Sequence, residues 1–164
     1  MKNTRYLLWF LVSIASLPGQ TPSTGAPPFT VTIRSVQPEV KVGEPAMIHI
    51  VLKDISQGQL PLPETRHVGS SGELNYLVTV VGVDGSPVPD TEYGLRFKTG
   101  RAVFTRSVLI KQLSFGEEVA EDADLNNVVK ITSPGDYVVQ VERSDRLYAG
   151  SHIKSNRLVI HVTP

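Results

Sequence analysis

Histidine is the side chain best suited to acid–base chemistry near neutral pH and to binding transition metals. The chain has four of them, His49, His67, His152 and His161. No two of them lie within the two to five residues that are typical of zinc-binding pairs. The alternation of residues around His49 and His161 places both on the polar faces of predicted strands, where we expect them to be solvated.

Other signatures of catalysis are missing from the sequence. Cysteine is absent, so the chain has no thiol nucleophile and no thiolate metal ligand. The Gly-x-Ser-x-Gly segment of hydrolases, the Gly-x-Gly-x-x-Gly segment of dinucleotide-binding proteins and the phosphate-binding loop are also absent. We therefore predict a protein that is not an enzyme, has no catalytic residues and needs no cofactor.

An acidic run is the strongest candidate for cation binding. It places five carboxylates within eight residues, namely Glu117, Glu118, Glu121, Asp122 and Asp124. Carboxylate oxygens at this density can bind calcium, although the residue order of an EF-hand loop is absent. The alternative is a solvated acidic connection that keeps a sheet edge from pairing with other chains. We favour the second interpretation and predict no metal site.

A basic patch is predicted on a hairpin. Leu95 and Phe97 precede a turn at Thr99-Gly100, and the strand after the turn carries Phe104, Val108 and Ile110. The basic residues along this hairpin are Arg96, Lys98, Arg101 and Arg106. Protection of a sheet edge explains the patch, and binding of an acidic glycan or protein is the alternative.

The segment 56–73 has little period-two pattern and contains two prolines and three glycines. It is therefore predicted to be a long loop, and loops of this length within a compact domain are often functional. The residues suited to contact a partner are Leu60, Leu62, Arg66, His67 and Val68. The alternative is that Leu60 and Leu62 cover the open end of the domain and are half-buried.

The N-terminal segment predicts export. Lys2 and Arg5 precede an almost purely apolar run from Tyr6 to Leu17, which is of signal-peptide length. We interpret residues 1–19 as a signal peptide, 20–28 as a flexible spacer rich in Pro, Gly, Ser and Thr, and 29–164 as one domain. The predicted location is periplasmic or extracellular, with membrane contact only through the export signal. An uncleaved anchor helix is the alternative.

Charge and cysteine content narrow the class of protein further. Without Lys2 and Arg5 the chain carries 14 basic and 16 acidic residues, which argues against nucleic acid as a partner. An exported domain without cysteine has no disulfide to restrict its unfolded state. Its stability must therefore come from apolar packing and strand pairing.

The apolar residues repeat with a period of two, which predicts strands. Phe29, Val31 and Ile33 begin the pattern, and it returns around residues 46–52, 137–141 and 158–162. The segment 74–83 is apolar on both faces and predicts a central strand that is covered on each side. With the predicted hairpin, this gives an all-β domain of about seven strands, with one short helical turn near residues 122–127.

Several segments resemble those of bacterial immunoglobulin-like modules. They are Val42-Gly43-Glu44-Pro45 before the strand from Ile48, Ser133-Pro134-Gly135-Asp136-Tyr137, and Ile153-Lys154-Ser155-Asn156 before the last strand. The resemblance implies an antiparallel β-sandwich in which Tyr137 forms a tyrosine corner and Val139 points inward. The sequence departs from antibody domains because it lacks their cysteines and because Trp9, the only tryptophan, lies in the predicted signal peptide.

The resemblance implies a binding or structural module that docks onto a protein or glycan of the cell envelope or extracellular space. Such modules occur as single-domain exported proteins and as accessory domains or pro-domains of secreted enzymes. A proteinase-inhibitor-like or pro-domain-like module is therefore one alternative, and an enzyme of unrecognised type is another. The sequence identifies neither the partner nor the oligomeric state.

Overall fold

The structure of the chain, a computed structural model, describes residues 27–66, 76–99, 107–144 and 152–164. Within these ranges it has one α-helix, one 3-10 helix at Leu125–Asn127, and ten strands. The elements are β1 Phe29–Ser35, β2 Val40–Lys41, β3 Met47–Asp54, β4 Leu60–Arg66, β5 Leu77–Gly82, α1 Glu92–Lys98, β6 Ser107–Leu113, β7 Glu118–Asp124, β8 Gly135–Ser144, β9 His152–Lys154 and β10 Leu158–Thr163. The prediction of an all-β chain is confirmed.

The strands form three sheets. The first has the order β1-β3-β7, the second has the order β2-β10-β8-β5 with β9 also paired to β8, and the third is the pair β4-β6. All pairs are antiparallel except β2 with β10, which is parallel. The parallel pair is short, because it joins only Val40 to Val162 and Lys41 to Thr163.

The buried apolar side chains of the first and second sheets belong to one cluster. In β1 the apolar residues Phe29, Val31 and Ile33 are buried, whereas the threonines between them are exposed. The inward faces of β3 and β8 supply Ile48, Ile50, Leu52, Val139 and Val141, all with no exposed surface. Each such side chain contributes about 1.5–3 kcal/mol through its burial. Contacts of β1 with β8, β9 and β10 join the two sheets.

One side chain also connects the two sheets through hydrogen bonds. The backbone N–H of Ile33 on β1 donates to Oδ1 of Asn156 at 2.8 Å, and Nδ2 of Asn156 donates to the carbonyl oxygen of Ile33 at 3.0 Å. Asn156 lies in the segment between β9 and β10. Its amide therefore occupies the place that a residue of a neighbouring strand would take beside β1.

The helix α1 packs closely against the loop that follows the 3-10 helix. The hydroxyl of Thr91 accepts a hydrogen bond from the N–H of Gly94 and donates to the carbonyl oxygen of Asn127 at 2.6 Å, so it caps the helix and fixes it to the loop. Gly94 is buried, and a Cβ atom at this position would lie only 2.0 Å from the carbonyl oxygen of Val128. A glycine is therefore required at this contact.

Three predictions about secondary structure are wrong. The first is the hairpin. Its predicted first arm, with Leu95, Arg96 and Lys98, is the helix α1, because Thr91 caps the helix and the neighbouring loop supports it. The second arm is a strand, β6, but it pairs with β4. The second wrong prediction is that of a central strand covered on both faces. The strand in question, β5, lies at the end of its sheet, and its residues Leu77 and Thr79 are exposed.

The third wrong prediction is the loop across 56–73, because residues 60–66 form β4. Pro61 and Pro63 interrupt the period-two pattern of this segment, but proline is compatible with a strand that has an unpaired edge. The predicted signal peptide 1–19 and most of the spacer 20–28 lie outside the described residues. In the described part of the chain, neither helix is long and apolar enough to cross a membrane.

Candidate functional site

A shallow cleft lies on the outer face of the first sheet. Its volume is about 220 Å³, and its walls are formed by Arg34, Ser35, Val36, His49 and Asp122. These residues come from β1, β3 and β7 and from the turn after β1. The cleft therefore spans all three strands of the sheet.

Strand register creates this site. Arg34 lies directly opposite His49, and His49 lies directly opposite Asp122. Directly opposed residues of antiparallel strands share one face of the sheet, so the three side chains form a row across it. Because Ile33, Ile48 and Ile50 occupy the buried face, their neighbours Arg34 and His49 must point outward.

The imidazole of His49 is fixed by Asp122. Its Nδ1 lies 2.6 Å from Oδ1 of Asp122, and the exposed fractions of the two side chains are 25% and 56%. An ionised carboxylate only accepts hydrogen bonds, so Nδ1 carries the proton and Nε2 is turned toward other groups. This arrangement orients the histidine as a general base would be oriented.

A nucleophile for such a base is absent from the described walls of the cleft. The hydroxyl of Ser35 donates to the carbonyl oxygen of Gln37 and accepts from the N–H of Gln37 at 3.3 Å. Its proton is thus engaged with the backbone of its own turn. The arrangement can bind a polar ligand, but it lacks the nucleophile–base contact of acyl-transfer sites.

The acidic run forms an edge strand. Glu118, Glu121, Asp122 and Asp124 belong to β7, which lies at the end of the first sheet, and Glu117 immediately precedes this strand. Several of these carboxylates have protein partners: Glu118 pairs with Lys53 at 3.1 Å, Asp122 with His49, and Asp124 accepts from the N–H of Asn126. In the described ranges no three His, Cys, Asp or Glu side chains could together hold a metal ion.

The four residues of the predicted basic patch are not described together on one hairpin. Arg96 and Lys98 lie on α1 and are paired with acidic side chains, Arg96 with Glu92 and Lys98 with Asp90. Arg101 and Arg106 lie outside the described residues. Because the two described cations already have acidic partners, they offer little attraction to an acidic ligand.

The residues of the predicted recognition loop have different surroundings. Leu60 and Leu62 are each 1% exposed, so they belong to the core and cannot contact a partner. Arg66 is the last residue of β4. His67 and Val68 lie outside the described residues.

Two other histidines make cross-strand pairs on the second sheet. Nδ1 of His152 contacts Glu142, and Nδ1 of His161 contacts Asp136. In the second pair, the hydrogen bond and the charge of Asp136 raise the pKa of His161 above its ordinary value of 6.5, and Glu39 adds a smaller effect of the same sign. The pair of His161 and Asp136 couples strand pairing to the protonation of an exposed imidazole.

This raised pKa predicts a pH dependence of stability. The pair stabilises the fold fully below pH 6.5, and the stabilisation is lost as the pH rises through the raised pKa of His161. The melting temperature should therefore fall as the pH rises from 5 to 9, and we expect His161→Gln to abolish the part of this fall that is caused by the pair. Asp136→Asn should have the same effect, and the double variant should add nothing further. An unchanged pH profile in both single variants would contradict the prediction.

The expected hydrogen bond of Tyr137 is present. Its hydroxyl donates to the carbonyl oxygen of Ser133 at 2.7 Å, across the turn that leads into β8. Val139, two positions later, has no exposed surface. The tyrosine thereby joins the beginning of β8 to the preceding loop.

Sequence reasoning missed the cleft as a site. His49 was expected to be merely solvated, Asp122 was grouped with the acidic run, and Arg34 was only a polar residue in an alternating strand. The alternation placed each of them on an outer face, but the register between strands decides that they share one row. No protein-family profile matches the chain, and no curated protein sequence is similar to it.

Proposed function

We propose that this chain is an exported, non-catalytic module of the immunoglobulin-like type. It docks onto a protein or glycan of the cell envelope or the extracellular space. The proposal of export rests on the basic and apolar residues of segment 1–19. The proposals of the sandwich fold and of binding rest on the features described in the following paragraphs.

The strand order supports an immunoglobulin-like sandwich. In that fold, strands A, B and E pair in one sheet and strands C, F and G pair in the other. The order β1-β3-β7 matches the first set, and β5, β8 and β10 match the second set in the order of the chain. The contacts of β1 with β8 and β10 are those expected for two sheets that face each other.

The Tyr137 hydrogen bond is a second support. A tyrosine corner lies at the beginning of strand F, and its hydroxyl bonds to the backbone a few residues upstream. Tyr137 near the beginning of β8 and Ser133 four residues before it have this relation. Val139, two positions after Tyr137, is buried, which fits the inward position that holds a cysteine in antibody domains.

The observation that carries the binding function is the cleft. It lies on an open sheet surface where Arg34 and His49 face solvent beside the exposed Val36, and its serine hydroxyl is already bonded to the backbone. Catalysis by a histidine–carboxylate pair needs a nucleophile or a positioned water in a site that limits solvent. A surface that presents charge, hydrogen-bonding groups and one apolar side chain is suited to docking.

Photo-crosslinking in the source cells tests this proposal. A photoreactive amino acid at Thr32, which is exposed on the outer face of the first sheet, should give a discrete adduct, since Thr32 lies on the same strand and face as Arg34. Digestion of the adduct with proteases or glycosidases would identify the partner as protein or glycan. The same amino acid at Thr79, on the outer face of the second sheet, serves as the control. Absence of a Thr32-specific adduct would overturn the docking surface.

A further inference from the structure

Three polar groups in the cleft have no partner within the described chain. The guanidinium of Arg34 makes no ion pair or hydrogen bond there. Nε2 of His49 and Oδ2 of Asp122 are also uncommitted, because the contact between these residues uses Nδ1 and Oδ1. The cleft therefore presents a planar cationic donor at one end of the row and two acceptors toward the other end.

This arrangement favours a ligand that carries both a carboxylate and hydrogen-bond donors. Arginine binds a carboxylate through two parallel hydrogen bonds. Nε2 of His49 and the free oxygen of Asp122 accept, so they require hydroxyl or N–H donors on the same ligand. Unmatched polar groups weaken binding, because they lose water without gaining a partner.

Common simple ligands satisfy only part of this requirement. A glutamate side chain or a phosphomonoester dianion supplies acceptors for Arg34 but carries no hydrogen-bond donor for His49 and Asp122. A neutral sugar supplies hydroxyl donors for Asp122 but leaves Arg34 without an anion. A uronic acid combines a carboxylate with hydroxyl groups on one ring, and the exposed Val36, of which 54% is accessible, offers an apolar contact for the face of that ring.

We propose that the cleft formed by Arg34, His49 and Asp122 binds a uronic acid residue of an acidic glycan. This inference rests on the proposed function and names its ligand class. Arg34 holds the carboxylate, and Asp122 and His49 accept hydrogen bonds from the ring hydroxyls. A cleft of about 220 Å³ that opens onto the sheet surface accommodates one residue of a glycan chain while the rest of the chain extends across that surface.

Calorimetric titration of the intact exported chain with an oligoglucuronate tetrasaccharide tests the proposal. A neutral glucose tetrasaccharide, which has no carboxylate, and an acrylate tetramer, which has carboxylates but no hydrogen-bond donors, serve as comparison ligands. We expect the oligoglucuronate to bind at least about tenfold more tightly than either, because each comparison ligand leaves part of the row unmatched. Equal binding of the acrylate tetramer would show that charge alone is recognised and would overturn the proposal.

Single-residue variants identify the side chains that contribute to oligoglucuronate binding. Arg34→Gln should weaken oligoglucuronate binding about tenfold or more, and Arg34→Lys should weaken it less because the charge remains. Asp122→Asn should weaken it about threefold, because the amide turns one acceptor into a donor. Lys53→Gln is the matched control, since Lys53 lies on β3 on the same face but is paired with Glu118. Its affinity should stay within about twofold of the native value.

The outcomes separate this inference from the proposed function. Equal losses in Arg34→Gln and Lys53→Gln would show diffuse charge attraction and overturn the cleft as the site. A Thr32 adduct in cells combined with no oligoglucuronate binding would leave the docking function standing and overturn the ligand assigned here. Melting curves of each variant establish that a lost affinity is not caused by a lost fold.

Discussion

Replacing Asn156 with alanine is expected to destabilise the fold by about 2 kcal/mol. The change removes both hydrogen bonds to the backbone of Ile33, a residue that is 5% exposed. An unsatisfied buried backbone group costs about 1–3 kcal/mol, and water that reaches the exposed side of Asn156 lowers the total for the two groups. For a domain of this size we expect the melting temperature to fall by about 6 °C.

Urea denaturation of Asn156→Ala beside Asn126→Ala measures this effect. Asn126 is a matched control because its side chain also bonds a distant backbone group, the carbonyl oxygen of Glu44 at 2.6 Å, but at an exposed position. We expect Asn126→Ala to lose less than about 1 kcal/mol. Equal losses in the two variants would contradict the role of Asn156 as the hydrogen-bonded link between the sheets.

Replacing Gly94 with alanine is expected to destabilise the fold by about 2–3 kcal/mol, although alanine is the better helix former by about 1 kcal/mol. The new methyl group would lie 2.0 Å from the carbonyl oxygen and 2.9 Å from the carbonyl carbon of Val128. Both are backbone atoms, so no side-chain rotation relieves the clash. The helix α1 must therefore move away from the loop, and the hydrogen bonds of Thr91 to that loop are lost.

Amide hydrogen exchange and urea denaturation distinguish the two opposing effects in Gly94→Ala. We expect lower free energy of unfolding and faster exchange in residues 91–99 and 127–129. The neighbouring variant Leu95→Ala is the control, because Leu95 is 55% exposed and its truncation should change stability by less than about 0.5 kcal/mol. A gain in stability in Gly94→Ala would show that the higher helix propensity of alanine outweighs the clash with the backbone of Val128.

The buried faces of several strands were predictable from the sequence. In β1, strict alternation of apolar and polar residues indicates which face is buried. The resemblance of residues 133–137 to segments of immunoglobulin-like modules also implied a hydrogen bond from Tyr137 to the loop before β8. These features depend on local chemistry, which a single sequence contains.

Features that depend on distant partners were not predictable. The segment containing Arg96 has charged and apolar residues that fit a hairpin, but Thr91 and the backbone of Val128 stabilise a helix there. The prolines of β4 indicated a loop, yet pairing with β6 makes the segment a strand. The row of Arg34, His49 and Asp122 depends on two registers between strands that are far apart in sequence.

The amide of Asn156 also has a mechanical consequence. Tension that enters the chain before Phe29 reaches β1 first. This strand is held along one edge by its register with β3 and at Ile33 by Asn156, which belongs to the segment leading into β10. Pulling β1 along its axis therefore loads hydrogen bonds to both sheets at once and in shear, so that they resist together instead of opening one after another.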